Sequence, residues 1–336
     1  MNTRILGRTG LKVSEIGFGA WGIGGQQEGA RRSYGVTDDA VSLAALEAAA
    51  ELGCNFVDTA DAYGVGHSET LIGRFLAGRR DRIVVATKFG HFPFPDERRR
   101  VPTPETIRFC LEESLRRLRT DYVDLYQCHE CNLETARSHE VAATLAALKA
   151  EGKIRFAGIS VYGPTQIRQV ARGEYGAVFD TIQESYNVTT LAFRTALHEA
   201  AAAGLGIIVR EPLGNGLLTG RWTGNEVWTE KHARGIRTTD QTAMRIEFAR
   251  RVGAFLPGTG RSLPQALIRF SLQDIPASVV IPGCKTPAQA QENLGASRSP
   301  PLSDAELKSV HEVHAELLAK YGRIHPYAMD SALGLA

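Results

Sequence analysis

The chain has 336 residues, 43% of them hydrophobic, and its 39 Lys and Arg side chains are nearly balanced by 37 Asp and Glu. A chain of this length forms one large domain or two ordinary ones, and either buries about three quarters of the surface that the unfolded chain exposes. The net charge of +2 and the shortness of the longest basic run, residues 98–100, which directly follows Asp96 and Glu97, argue against a nucleic-acid-binding protein.

The sequence predicts neither export nor a membrane partner. The longest apolar stretch, residues 200–209, is far shorter than the roughly 20 residues of a membrane span. Residues 1–10 lack the apolar segment of a secretory signal. Five cysteines, an odd number in a long chain, favour free thiols over a disulfide framework. We therefore expect a cytoplasmic protein.

The order of the predicted elements indicates the fold. Residues 3–7 and 11–14 flank a turn at residues 8–10 and predict a β-hairpin. Short β-rich runs then alternate with longer helical patterns. The predicted strands are residues 15–18, 55–58, 83–87, 122–127, 154–159, 180–184, 206–210 and 278–281. The predicted helices are residues 38–52, 68–77, 103–118, 133–150, 165–171, 191–203, 264–272 and 287–294. This alternation favours an α/β fold, a closed parallel (β/α)8 TIM barrel, over two open sheets.

Two segments lie outside this alternation. Residues 213–240 are irregular, and because long irregular segments in compact domains are usually functional, we predict an active-site lid there. Residues 303 to about 321 predict an extra helix after the barrel. No domain linker is evident, so we expect one barrel domain over residues 1–336, with the N-terminal hairpin closing its floor.

The carboxyl ends of the predicted strands carry side chains suited to proton transfer. In a barrel of this type the functional site lies at that end. The residues expected there are Asp58, Tyr63, Lys88, His129, Ser160, Gln183, Arg210 and Gly283. A tyrosine, with an ordinary pKa of about 10, can act as a general acid near neutral pH if a lysine held by an aspartate lowers that pKa. We therefore predict that Asp58, Tyr63, Lys88 and His129 form a catalytic group.

Three segments resemble the signature of the aldo-keto reductase superfamily. They are residues 55–64 (NFVDTADAYG), 86–89 (ATKF) and 124–129 (DLYQCH). The similarity extends from residue 6 to about residue 293. It implies a barrel enzyme that uses a nicotinamide cofactor to reduce a small-molecule aldehyde or ketone to an alcohol. It also implies that Tyr63 is the general acid, that Lys88 and Asp58 tune it, and that His129 orients the substrate carbonyl.

The resemblance also assigns residues to the cofactor. Ser160 and Gln183 correspond to residues that hold the nicotinamide carboxamide. Residues 212–220 resemble the loop that covers the pyrophosphate, and residues 281–293 resemble the segment that binds the adenosine phosphate, where amides at a helix start suit an anion. The cofactor contacts that this implies are Trp21, Ser160, Gln183, Arg210, Pro212, Leu213, Gly214, Gly216, Lys285, Gln289 and Asn293.

Some positions depart from the family pattern and bear on the cofactor. Val161 stands where many relatives carry Asn, and Arg210 replaces an aromatic residue that stacks on nicotinamide in many animal members. Lys285 lies at the start of the last barrel helix, where a 2′-phosphate would meet its charge and unpaired backbone amides. No acidic residue lies within residues 283–290, which favours NADPH. NADH remains possible, because Gln289 replaces an arginine that many relatives use for the phosphate.

Two short motifs admit other interpretations. Residues 17–22 match Gly-x-Gly-x-x-Gly, but no helix starts before Thr37, whereas a Rossmann phosphate site needs a helix to open at those glycines. Cys128 and Cys131 form a Cys-x-x-Cys pair without a second pair, which is half of a zinc site. We therefore expect neither a Rossmann site nor a bound metal.

Two alternative functions remain open. The same residues could serve a sugar or alcohol dehydrogenase, because the reaction runs in either direction. Some relatives are channel-associated, so a cofactor-binding regulatory subunit with little turnover is a different class to consider. The four residues of the catalytic group are intact, which favours turnover. The sequence indicates neither the substrate nor the oligomeric state.

Overall fold

The computed structural model describes residues 1–30, 32–91, 101–229, 232, 234, 239–256 and 260–322. Within these residues, eight parallel strands form a nearly closed barrel with helices packed around it. A two-stranded antiparallel hairpin precedes the barrel, and a long helix follows it. The predicted TIM barrel, hairpin and extra helix are confirmed. No helix in this part of the chain is both long and apolar enough to cross a membrane.

The strands and helices have the following bounds. The hairpin consists of β1 (Thr3–Ile5) and β2 (Lys12–Ser14), and the barrel of β3 (Phe18–Gly19), β4 (Phe56–Asp58), β5 (Val84–Phe89), β6 (Val123–His129), β7 (Ile154–Ser160), β8 (Phe179–Ser185), β9 (Gly206–Arg210) and β10 (Val279–Ile281). The α-helices are α1 (Asp39–Glu51), α2 (His67–Phe75), α3 (Pro104–Leu118), α4 (Leu133–Ser138), α5 (Val141–Ala150), α6 (Gly163–Ala171), α7 (Arg194–Ala202), α8 (Thr239–Gly253), α9 (Leu263–Gln273), α10 (Pro287–Gly295) and α11 (Asp304–Tyr321).

The glycines of the Gly-x-Gly-x-x-Gly motif close the barrel. The N–H of Gly17 donates to the carbonyl of Val280 at 2.8 Å, and the N–H of Gly19 donates to the carbonyl of Pro282 at 3.1 Å. A Cβ atom on Gly19 would lie 2.7 Å from the carbonyl oxygen of Ile281, so only glycine lets these two backbones meet. The motif thus joins the first barrel strand to the last and opens no phosphate-binding helix.

The hairpin closes the floor of the barrel, as predicted. Leu6 and Val13 are fully buried and pack in one cluster with side chains of the barrel interior, including Phe56 and Ile208. Because apolar side chains fill this end, polar side chains can enter the barrel only toward the opposite end, where the strands terminate.

Side-chain caps start several helices at or next to their predicted first residues. The Asp38 carboxylate accepts the N–H of Val41 at the start of α1. The Ser303 and Glu306 side chains form a reciprocal capping box at the start of α11. These local hydrogen bonds satisfy amide groups that a helix leaves unpaired at its first turn.

The structure differs from the predicted elements in two places. The single helix expected over residues 133–150 is divided into α4 and α5, because Glu140 has a left-handed φ of 50° that interrupts the helix. Helix α8 is absent from the predicted elements, although Met244, Phe248 and Val252 form a buried stripe at four-residue spacing along it. That stripe is the signal that could have identified the helix.

Candidate active site

Lys88 is the centre of a buried hydrogen-bond network at the carboxyl ends of the strands. Its side chain is fully buried. The ammonium donates to Asp58 Oδ1 at 2.5 Å, to the Thr59 carbonyl at 2.8 Å and to the Tyr63 hydroxyl at 3.1 Å. Burial alone would lower the pKa of Lys88, but Asp58 and Tyr63 more than offset it, so the pKa lies above its usual value. Lys88 is therefore an ammonium at neutral pH.

Two glutamines hold the second oxygen of Asp58. Gln127 and Gln183 each donate an amide hydrogen to Asp58 Oδ2, at 3.0 and 2.8 Å. Gln183 also donates to the carbonyl oxygen of the Gln127 side chain at 3.1 Å. The expected contact of Gln183 with a cofactor must therefore use its remaining amide oxygen, while Ser160 lies beside it in register on β7. The sequence reasoning missed Gln127.

Tyr63 keeps its proton at neutral pH. Burial raises the pKa of its hydroxyl, the Lys88 ammonium opposes this effect, and the Asp58 carboxylate adds to it. The pKa of Tyr63 consequently lies above its usual value. Lys88 by itself lowers the pKa of Tyr63, as predicted. The net pKa of Tyr63 is nevertheless raised, so the prediction of a lowered pKa is wrong. A phenol that holds its proton is suited to donate it.

His129 is a neutral imidazole next to Tyr63. The two ring centroids are 5.9 Å apart in an edge-on arrangement. Burial lowers the pKa of His129 well below its usual value, and Glu130 only partly opposes this. Its Nδ1 atom is buried and has no hydrogen-bond partner among the described residues. The four residues of the predicted catalytic group are thus brought together around the Lys88 ammonium and the Tyr63 ring.

Arg210 lies at the end of β9 between carboxylates. Its guanidinium lies 3.2 Å from Glu184 Oε1 and 3.4 Å from Glu211 Oε1. Glu184 also accepts the N–H groups of Ser185 and Gly163. Burial raises the pKa of Glu184 to about 7, although Arg210 lowers it. The sequence reasoning missed both glutamates, because the chain pattern does not show which acids face the barrel mouth.

Tyr34, which packs against Trp21, joins three loops on one side of the site. The ring centroid of Trp21 lies 4.8 Å from that of Tyr34 and 6.3 Å from that of Tyr63. The Tyr34 hydroxyl donates to Asn215 Oδ1 at 2.6 Å, and the Tyr34 carbonyl accepts from Lys285 Nζ at 3.1 Å. The loops after β3, β9 and β10 therefore meet, and two of the expected cofactor contacts, Trp21 and Lys285, lie in the same cluster.

The loop after β9 uses its own amides internally. Pro212 is buried, and the following 3-10 segment, Gly214–Thr219, is kinked at Asn215 and Gly216, whose φ angles of 59° and 77° are left-handed. The N–H of Gly214 donates to the carbonyl of Glu211 at 2.9 Å, and the N–H of Gly216 donates to the carbonyl of Leu213 at 2.8 Å. These two amides are therefore not free to bind a pyrophosphate. Part of the predicted lid lies outside the described residues, and its role as a lid stays a prediction.

Arg234 is a basic residue of this region that the sequence reasoning missed. It is 9% exposed. Its Nε donates to the Asn215 carbonyl at 2.9 Å, and its guanidinium lies over the rings of Tyr34 and Trp222 at 4.9 and 4.7 Å. Burial lowers the pKa of Lys285, and the charge of Arg234 lowers it further, so the two cations are close. No local pattern in residues 213–240 predicts that Arg234 lies close to Lys285.

The segment after β10 has fewer unpaired backbone amides around Lys285 than the sequence predicts. The N–H of Lys285 donates to Gln289 Oε1 at 2.8 Å, and the N–H of Gln289 donates to Thr286 Oγ1 at 3.2 Å. The prediction that unpaired amides surround Lys285 is therefore wrong for these two groups, because side chains of the helix start cap them. Asn293 is buried and donates to the Gly283 carbonyl at 3.2 Å. This hydrogen bond ties α10 to the segment after β10.

The five cysteines form no disulfide. All five are buried, and Cys128 and Cys131 precede and follow His129 in the sequence. Within the described ranges, no three or more His, Cys, Asp or Glu side chains are grouped so that they could hold a metal ion.

Asp61, two residues before Tyr63, is a buried acid whose protonation can be tested. Both carboxyl oxygens lack a hydrogen-bond partner among the described residues. Burial, followed by the charge of Glu69, raises the pKa of Asp61 to about 8. The folded protein then retains a proton that the unfolded chain, with a pKa of about 3.9, releases. The free energy of unfolding should therefore decrease as pH rises from about 4 to 8.

Asp61→Asn should remove this dependence. We expect the variant to gain stability over the wild type across that window, by up to about 1.4 kcal/mol per pH unit. Urea unfolding of both proteins at several pH values measures the difference. Asp121→Asn, at an exposed position, is the matched control. Parallel pH profiles for wild type and Asp61→Asn would show that Asp61 ionises normally.

The carboxyl ends of the eight strands bring together side chains that can donate a proton. This is where enzymes with this barrel fold have their active sites. The model of the aldo/keto reductase family matches residues 15–315. The chain belongs to the aldo/keto reductase family and is an NAD(P)H-dependent oxidoreductase that acts on carbonyl compounds or alcohols.

Three similar proteins illustrate the range of the family. The aldo-keto reductase yakc [NADP(+)] of Schizosaccharomyces pombe is 30% identical over 92% of this chain and 92% of its own length. The NADH-specific methylglyoxal reductase of Escherichia coli is 30% identical over 94% of this chain and 98% of its own. The solved structure of a glycerol dehydrogenase from Gluconobacter oxydans superposes with a TM-score of 0.78 at 28% identity, covering 96% of each chain.

Proposed function

We propose that the protein reduces an aldehyde or ketone to an alcohol with NADPH, and that Tyr63 is the general acid. The observation that carries the proposal is the Tyr63 hydroxyl, which holds its proton and lies 3.1 Å from the Lys88 ammonium. A protonated phenol beside a fixed positive charge can donate a proton and then be stabilised as a phenolate.

Each of the four catalytic side chains has its own role in the proposed reaction. The reduced nicotinamide, when bound, supplies a hydride to the carbonyl carbon. Tyr63 gives its hydroxyl proton to the carbonyl oxygen, and Lys88 stabilises the phenolate that remains. Asp58 holds Lys88 in place. His129 is neutral because its pKa is lowered. It can therefore direct an imidazole nitrogen at the carbonyl oxygen without taking up the proton that Tyr63 gives.

The described residues fit a nicotinamide cofactor. Trp21 offers a ring beside Tyr63, and Lys285 and Arg234 place two cations close to each other at the loops around Tyr34. Two cations that are held near each other suit a phosphate group. We assign the adenosine-phosphate side to Lys285 and Arg234, with Gln289 and Asn293 shaping that segment. The nicotinamide side is assigned to Ser160, Gln183 and Arg210. The pyrophosphate between the two sides is assigned to the loop of Pro212, Leu213, Gly214 and Gly216, through contacts other than the amides of the two glycines, which are already paired.

The choice between NADPH and NADH is part of the proposal. The name of one relative carries NADP(+), and that of another specifies NADH. Neither name decides the matter for this chain. Lys285, with Arg234 nearby, favours the cofactor that has the additional 2′-phosphate.

Lys285→Ala tests this choice. We expect the KM for NADPH to rise about 10-fold, because a hydrogen bond to a charged group contributes about 1.5 to 3 kcal/mol. The KM for NADH should not change. Steady-state kinetics with both cofactors measures the effect, and Lys308→Ala, at an exposed site on α11, is the control. An equal loss with both cofactors would show that Lys285 does not read the 2′-phosphate.

A second candidate is the reverse reaction, the oxidation of an alcohol or a sugar. The similarity to a glycerol dehydrogenase structure supports it. The same four residues serve this direction, with Tyr63 as the base. Its pKa above the usual value makes the phenolate scarce at neutral pH, which favours reduction.

Nicotinamide absorbance with a panel of aldehydes and alcohols tests the proposal. We expect NADPH oxidation with aldehydes at neutral pH. Turnover only with alcohols would support the dehydrogenase instead. Tight binding of NADPH without turnover of any compound would support a cofactor-binding regulatory subunit.

We also propose that the chain is one barrel domain and that it is cytoplasmic. The supporting observations are the barrel contacts that join residues 15–19 to β10 and the five free cysteines, which suit a reducing compartment.

A further inference from the structure

Glu184 is a buried acid near the catalytic group that the proposed reaction does not use. Its side chain is fully buried, although it lies at the carboxyl end of β8, directly after Gln183. Burying an ionisable carboxyl group is unfavourable unless hydrogen bonds and an opposite charge compensate for the lost water. The groups that compensate Glu184 therefore indicate its role.

The Glu184 carboxyl group joins three neighbouring strands at the mouth of the barrel. Oε1 accepts the N–H of Ser185 at 2.6 Å and a hydrogen of the Arg210 guanidinium, at the end of β9, at 3.2 Å. Oε2 accepts the N–H of Gly163 at 3.1 Å. Gly163 is the first residue of α6 and closely follows Ser160, the last residue of β7. One side chain thus ties the loop after β7 to β8 and β9.

The same three strands carry the residues that are assigned to the nicotinamide. Ser160 lies opposite Gln183 in the register of β7 and β8. Arg210 lies opposite Ser185 in the register of β8 and β9. The relative position of the three nicotinamide contacts therefore depends on how the ends of these strands are held together, and Glu184 bonds to all three.

The Arg210 guanidinium is close to the catalytic group, and Glu184 fixes its position. Burial raises the pKa of Tyr63, and the charge of Arg210 is among those that lower it, so the two side chains are near each other. Arg210 pairs with both Glu184 and Glu211, but Glu184 is the one that is fully buried and held by two backbone amides. A carboxylate held in this way restricts the flexible arginine to one arrangement.

We propose that Glu184 is a positioning residue for the nicotinamide half of the cofactor: its carboxylate holds Arg210 and the loop after Ser160 in the arrangement that binds the nicotinamide. The inference rests on the proposed function, because that function assigns Ser160, Gln183 and Arg210 to the nicotinamide. Glu184 acts on the cofactor through these neighbours. The adenosine-phosphate side is assigned to other loops and should not depend on Glu184.

The ionisation of Glu184 gives a readout that a purely structural role would lack. Burial raises its pKa to about 7, although Arg210 lowers it. The other charged groups on the neighbouring loops, Glu130 and Glu211, are acids and do not favour the ionised form. As the pH falls through about 7, the carboxylate takes up a proton and loses its attraction for the guanidinium. Affinity for the nicotinamide half should therefore decrease on the acid side.

Binding of NADPH and of adenosine 2′,5′-bisphosphate, measured by calorimetry, tests the inference. The bisphosphate has the adenosine and the 2′-phosphate of NADPH but no nicotinamide, so it reports on the adenosine-phosphate side alone. In Glu184→Ala at pH 8, the Kd for NADPH should rise about 10-fold, as expected when the nicotinamide side loses one hydrogen bond to a charged group. The Kd for the bisphosphate should stay within about 2-fold of the wild type, because distant sites act independently.

The ratio of the two dissociation constants, NADPH over bisphosphate, gives the pH dependence. Titration of the 2′-phosphate affects both ligands and cancels in this ratio. In the wild type the ratio should rise about 5-fold from pH 8 to pH 6, as Glu184 becomes protonated. Glu184→Gln is neutral at every pH and has one acceptor oxygen in place of two. Its ratio should be raised already at pH 8 and should not change with pH.

Glu15→Gln is the matched control. Glu15 is also a buried acid that pairs with an arginine, Arg269 at 3.3 Å, but it precedes β3 at the floor of the barrel. This variant should lower the free energy of unfolding without changing either Kd. If urea unfolding shows that Glu184→Ala does not fold, Glu184→Gln provides the same comparison.

Two results would overturn this inference alone. One is an equal loss of NADPH and bisphosphate binding in the Glu184 variants, and the other is an NADPH affinity that both variants leave unchanged. A wild type that binds neither NADPH nor NADH would overturn the proposed function as well. If the wild type binds only NADH, the cofactor choice is wrong, and NADH with ADP then forms the matched pair for the same comparison.

Discussion

Tyr63→Phe should lower kcat for carbonyl reduction by about 10²- to 10⁴-fold, the usual contribution of general acid catalysis. The substitution removes the hydroxyl that Lys88 contacts at 3.1 Å and keeps the ring, which lies 6.3 Å from Trp21. Cofactor affinity should therefore change little. Steady-state kinetics for kcat and fluorescence titration with NADPH measure the two quantities separately.

Tyr175→Phe is the matched control for this variant. Tyr175 is buried, and its hydroxyl has no hydrogen-bond partner among the described residues. Its removal should leave kcat unchanged. If Tyr63→Phe retained more than about a tenth of the wild-type kcat, general acid catalysis by Tyr63 would be contradicted.

Lys88→Met should lose activity by a similar factor and should also lower the free energy of unfolding. The loss of the ammonium leaves the phenolate without a counter-charge. It also leaves Asp58 buried with only the amide hydrogens of Gln127 and Gln183. Removing one partner of a buried ion pair costs about 3 to 5 kcal/mol. Kinetics from pH 6 to 9 and urea unfolding measure both effects.

The double variant Asp58→Asn/Lys88→Met separates chemistry from stability. It removes both charges, so much of the stability should return while activity stays low. A higher pH should not rescue the single variant, since reduction needs the protonated phenol and alkali removes that proton. Full activity of Lys88→Met at high pH would instead mean that Lys88 only adjusts the pKa of Tyr63.

Much of the barrel could be predicted because its signals are local. Alternating short apolar runs and longer helical patterns set the order of the elements, and residues such as Asp38 mark where helices begin. Since parallel strands of one barrel end on the same side, Asp58, Lys88 and His129 had to share that end. Helix α8 was not predicted, although its buried stripe is equally local.

The sequence by itself thus determined the barrel and the meeting of Asp58, Lys88 and His129, since both depend on the order and period of nearby residues, and its three motifs indicated the family by resemblance. The tertiary structure alone decided how the individual donors and acceptors are used. Gln183 reaches Asp58 across 125 positions of sequence, and the amides of Lys285 and Gln289 are already paired. The net pKa of Tyr63 likewise depends on burial and on two opposite charges at once. Such contacts join residues that are distant in the chain, and no periodic pattern in the sequence encodes them.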